Sequence, residues 1–172
     1  AYNWKKGSAY GLDIVPYTGT GVTRTISHNL GITPSLMMIK GLDLAEDWMV
    51  YHKYSSANPV DDYFYLDTSN ALMTAVSMWT SLPTSSVFSV GWANGINQST
   101  KLFVAYLFAE IPGFSKFGYY IGNGNADGPF VYCGFRPKWV MIKSVGVYHW
   151  YIIDSARSPY NVTSLEVCPS LE

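Results

Sequence analysis

Residues 113–143 read GFSKFGYYIGNGNADGPFVYCGFRPKWVMIK. The run is an aromatic strand pattern, a glycine-rich turn, a second aromatic strand pattern, a tight turn and an apolar run closed by lysine. Residues 11–40, GLDIVPYTGTGVTRTISHNLGITPSLMMIK, follow the same plan. Shifted by 103 positions without a gap, Tyr17, Gly19, Gly21, Gly31, Pro34, Met38, Ile39 and Lys40 meet Tyr120, Gly122, Gly124, Gly134, Pro137, Met141, Ile142 and Lys143. These eight identities fall on turn formers and core-type residues, so they predict that both stretches trace one strand path. Beyond them, the Trp48 strand, WMVYHKY, matches HWYIID after a one-residue deletion, with Trp48 meeting Trp150 and Val50 meeting Ile152.

Working outward, residues 12–17 and 22–28 alternate around Thr18-Gly19-Thr20-Gly21, which predicts a hairpin. SLMMIK after Pro34, WMVYHKY, YFYLD, SVFSVGWA and TKLFVAYLFAEI read as further strands, the last two joined by the turn former Asn94-Gly95. Residues 70–79, NALMTAVSMW, leave helix and strand open: Asn70 is a capping type, but Thr, Val and Ser are weak helix formers. Short strands at this spacing with glycine turns predict an all-β sandwich, jelly-roll-like, with an internal duplication of about 100 residues. The expected organisation is an extended lead-in over 1–10, a first β repeat over 11–113 and a second over 114–172. Counterparts of the strands within 70–110 are not found in the second, so its sheet is expected to be completed by something outside residues 114–172, with a neighbouring subunit favoured.

Composition narrows the function. The 172 residues carry 48% hydrophobic, 16% aromatic and only 13% charged residues, against about 25% charged in ordinary soluble domains. Such a surface suits a rigid β protein covered by neighbours. A net charge of −1 gives no electrostatic attraction for nucleic acid or anionic membrane. No apolar run approaches the roughly 18 residues of a spanning helix, so no membrane insertion is expected. Cys133 and Cys168 are too few for a disulfide framework, and their spacing leaves a bond between them open.

Chemistry-bearing motifs are sparse. His52 lies five residues after Asp47 and His149 five before Asp154, a spacing that puts strand side chains on opposite faces. Asn123, Asn125 and Asp127 space oxygen ligands as in the start of a calcium loop, with Gly128 sixth. The first position is Asn and the twelfth is Gly134, where a calcium loop carries acids. The alternative is a hairpin loop of residues tolerant of positive φ. Trp48, Tyr51, Tyr148, Trp150 and Tyr151 could present a sugar-stacking face, or Trp48 and Trp150 could anchor the core. Asn97-Gln98-Ser99 and Asn161-Val162-Thr163 are glycosylation triplets. No catalytic residues and no cofactor are predicted.

The run from 113 to 143, followed by WYIIDSARSPYN, resembles a repeat module of virion proteins of tailed bacteriophages, marine and cyanobacterial phages among them. YTGTG, HNLGITPSLMMIK, DWMVYH and VAYLFAEIPGFSKFG resemble the same module, so nearly the whole chain is covered. The resemblance implies a non-enzymatic structural or adhesive part of the particle, such as a tail fibre, adhesin or surface appendage. It implies homo-oligomers or other virion proteins as partners, with host-surface glycan as a possible ligand. A monomeric lectin-like domain and a tail-associated glycan hydrolase are the rival readings.

Overall fold

The computed structural model describes residues 3–160 and 165–170. A short 3₁₀ turn over Ser8–Tyr10 leads into β1 (Leu12–Thr18) and β2 (Arg24–Ser27). Then come β3 (Leu36–Gly41), β4 (Met49–His52), β5 (Asp62–Tyr65), β6 (Met73–Thr74) and β7 (Val87–Val90). A single helical turn, α1 (Asn94–Asn97), precedes β8 (Leu102–Phe108). β9 (Trp139–Ile142), β10 (Tyr151–Asp154) and β11 (Glu166–Val167) follow.

Pairing is antiparallel throughout. Six strands form one sheet in the order β1-β8-β3-β4-β5-β6, β2 pairs with β7, and the last three form a sheet ordered β11-β10-β9. The fold is nearly all-β, as expected. The six-stranded sheet is apolar on both faces, which is why SLMMIK is a continuous apolar run rather than an alternating one. On one face Met37, Ile39, Met49, Tyr51, Phe103, Ala105 and Leu107 pack with Ile26, Phe88 and Val90 of the β2–β7 pair, and with Trp79 and Ile96. On the other, Leu36, Met38, Val50 and Phe64 pack with Trp150 and Met141 of the last sheet.

Several local expectations are corrected. The strands flanking Thr18-Gly19-Thr20-Gly21 do not form a hairpin: β1 pairs with β8 and β2 with β7. The turn instead carries the chain from one sheet to another. Gly21 there has φ +73°, and Gly124 at the matching position has φ +67°. Gly19 serves differently, since a Cβ on it would stand 2.1 Å from the Gln98 carbonyl oxygen. Asn94-Gly95 opens α1 rather than a hairpin, so β7 and β8 join different sheets. Residues 70–79 are neither helix nor full strand: only Met73–Thr74 pair, with β5, and Trp79 turns into the core, donating its Nε1–H to the Asp62 carbonyl at 2.6 Å.

The second half follows the predicted path in part. β9 and β10 pair Trp139 with Asp154, Val140 with Ile153, Met141 with Ile152 and Ile142 with Tyr151. β3 and β4 pair Leu36 with His52, Met37 with Tyr51, Met38 with Val50 and Ile39 with Met49. Carried over by the sequence alignment, the two registers are the same at all four pairs. Residues 116–138, read from sequence as two aromatic strands, contain no strand.

Candidate functional site

The five aromatics proposed as a stacking face do not come together. Tyr51 is buried in the main core, edge-on to Trp79 at 5.7 Å. Burial pushes its phenol up to about 12, so it stays neutral. Trp150 is buried on the opposite face of the sheet, edge-on to Phe64, and its Nε1–H donates to the Tyr65 carbonyl at 2.7 Å. Trp48 is half-buried against Tyr106. Tyr151 is half-buried in β10, and Tyr148 is exposed in the turn before it. Both tryptophans therefore act as packing anchors between sheets.

Asn123, Asn125 and Asp127 lie in one exposed loop whose side chains fold onto their own backbone. The Asn123 Oδ1 accepts from the Asn125 N–H at 3.1 Å, and the Asn125 Oδ1 from the Asp127 N–H at 3.2 Å. The Asn123 Nδ2 donates to the Asp127 carbonyl at 2.8 Å. This is the turn-forming use of Asn and Asp. Among the described residues, no three His, Cys, Asp or Glu gather as metal ligands.

The histidines are separate from one another. His28 is buried, with Nε2 3.2 Å from the Thr84 carbonyl. His52 accepts the Tyr54 N–H at Nδ1, and burial pulls its pKa down to about 4. His149 Nδ1 lies 2.8 Å from the Ser170 hydroxyl, while Asp154 accepts from Arg157. Cys133 and Cys168 are free thiols. Asn97 of the first glycosylation triplet is fully buried and bonded at both ends of its amide, which closes it to modification in the folded chain. The second triplet lies outside the described residues.

The feature that sequence reasoning misplaced is a surface. Ile121, Phe130, Tyr119 and Tyr132 are each more than 70% exposed, and Phe114, Tyr120 and Val131 are also exposed. Isolated exposed apolar side chains are ordinary, but a run of them is the mark of an interaction surface. Next to it in sequence, Val140, Ile142, Tyr151 and Ile153 stand half-buried or exposed on the β9–β10 hairpin. Their counterparts Met37, Ile39, Met49 and Tyr51 are buried in the main core. The other side of the hairpin is covered: Trp139, Met141 and Ile152 face Met38, Trp48, Tyr106 and Phe108 across an apolar cleft of about 250 Å³.

These features define an antiparallel β module with one finished core and one partly covered hairpin. Residues 5–171 match the family described as "Domain of unknown function (DUF7483)", and the chain belongs to that family. No curated protein and no solved structure matches it.

Proposed function

We propose that this chain is a non-enzymatic structural or adhesive module that works by associating side by side with other chains, as part of a phage tail fibre, adhesin or surface appendage. One observation carries the reading: the exposed aromatic run from Phe114 to Tyr132 beside the partly covered β9–β10 hairpin. With so few charges to keep such a surface solvated, burial against a neighbour is its favourable state. The virion assignment comes from the resemblance of 113–143 and 11–40 to phage repeat modules. Sheets stacked face to face support the sandwich reading, and the shared hairpin register supports the duplication. Exposed tyrosines such as Tyr119, Tyr132 and Tyr148 offer places for host-surface glycan, in a different location from the sequence-derived face.

Sedimentation velocity of the intact chain tests the reading. A species heavier than the 19.2 kDa chain, growing with concentration in the micromolar range and lost on Phe130→Ser with Tyr132→Ser, is expected. A monomer at every concentration overturns the self-association part.

A further inference from the structure

We infer that the outer side of β9, together with Val140, Ile142, Tyr151 and Ile153, receives an extended antiparallel strand of the β8 type supplied from outside residues 1–172. The reading deepens the association function above, but its test is separate. The first half of the chain shows what covers this hairpin. There, β8 runs along β3 on the side away from β4, from Leu36 with Phe108 to Gly41 with Phe103. Among the described residues β9 has β10 on one side and no strand on the other. The side chains matching the buried Met37, Ile39, Met49 and Tyr51 remain partly open to solvent.

A second observation points to the same strand. Among the described residues, β1 is held in its sheet by β8 alone, and β2 is paired by β7 alone. Among the described residues, no strand plays the part of β7 or β8 for the second half. The counterparts of β1 and β2, residues 115–121 and 127–130, form no strand. Tyr17 illustrates the difference: it is buried, stacked on Phe103 of β8 at 5.3 Å, and its hydroxyl donates to the Ile96 carbonyl at 2.6 Å. Tyr120, its counterpart, is 48% exposed. One strand placed between 115–121 and β9 would order both.

The chemistry of the occupant follows from β8, LFVAYLF. It has no charged residue, with Phe103, Ala105 and Leu107 fully buried on one face. The incoming segment is thus an uncharged, alternating run of about seven residues that adds to an open sheet edge through its backbone. β8 of another copy of this chain does not qualify, because β1 and β3 already occupy both its sides.

The test titrates the intact chain with a synthetic peptide, KLFVAYLFAE carrying extra terminal lysines for solubility, and with a scrambled peptide of the same composition. Amide hydrogen exchange is read residue by residue. Binding should slow exchange by about tenfold or more at 139–142 and at 115–121 together, and the scramble should slow neither. Val140→Lys, at a position already exposed, should weaken the peptide by about tenfold while the main core stays protected. The inference is overturned if neither segment is slowed, if the scramble acts equally, or if Val140→Lys binds as tightly as the parent. It is also overturned if 139–142 become protected without peptide as protein concentration rises, since another copy then fills the site. Self-association in sedimentation can fail without touching this result, and the reverse holds too.

Discussion

The Asn97 amide reaches across 75 positions of sequence to the carbonyl of Val22, donating at 2.8 Å. The same nitrogen donates to the Gly91 carbonyl, and the Oδ1 accepts the Thr20 N–H at 2.9 Å. One side chain thus satisfies the backbone of the β1–β2 turn and of the segment after β7. Asn97→Ala should leave the buried Gly91 carbonyl without its partner, at about 1–3 kcal/mol, and free the turn at Thr20 and Val22, whose backbone groups can reach water. A loss of roughly 3 kcal/mol in urea unfolding is expected. A change below about 0.5 kcal/mol would mean that the turn is held by other bonds.

Gly19 and Gly31 separate two reasons for glycine. At Gly31 φ is +70° and a Cβ would meet nothing, so Gly31→Ala carries backbone strain alone, about 1 kcal/mol. At Gly19 the Cβ would collide with the Gln98 carbonyl, so β1 and the segment after α1 must separate. Gly19→Ala should therefore cost at least about 2 kcal/mol more than Gly31→Ala. Thermal unfolding of the two variants side by side checks the order.

Trp150→Ala removes the largest anchor between the last sheet and the six-stranded one. A cost of about 3–5 kcal/mol is expected for that contact. Hydrogen exchange should rise at β10 and β9 while β3, β8 and Trp79 stay protected, because β3 and β8 are paired on both sides within the six-stranded sheet and Trp79 packs on its opposite face. Trp150→Phe should keep the packing and leave the Tyr65 carbonyl without its donor, for a smaller loss near 1–2 kcal/mol.

His52 sets a pH dependence. Its folded pKa, near 4, lies below the usual 6.5, so the folded state binds its proton less well than the unfolded chain. That contribution is fully present above about pH 6.5 and is lost as the pH falls toward 4. Stability should drop by about 2–3 kcal/mol between pH 7 and 4.5. His52→Gln should flatten this slope, and an unchanged slope would place the titration elsewhere.

What the sequence made legible divides along sequence distance. β3–β4 and β9–β10 are pairs of neighbours, so their apolar runs, turns and matching positions could be read from their own residues. β1 with β8 and β2 with β7 join strands far apart in sequence, and no local pattern names a distant partner. The flanking turns were visible, but the strands they separate turn into different sheets. Residues 116–121 and 130–133 carry strand-type sequence without strand structure, and no described strand pairs with them. For the candidate site, Trp48 and Trp150 read either as a stacking face or as core anchors; Trp150 is buried and Trp48 half-buried. The exposed aromatic surface stayed hidden because the same residues read as strand interiors.

The pairing of Leu12 with Phe108 has a consequence for how the chain is made. At about 5–20 residues per second of synthesis, β1 emerges several seconds before the strand that holds it. β2 waits similarly for β7, and the main core cannot close until both have arrived. Contacts this distant also slow the search itself, because a long loop must close before any pair rewards it. During that interval Ile14, Tyr17 and Ile26 are exposed to other nascent chains, and a folding helper that shields them until Phe108 has left the ribosome should raise the yield of native protein.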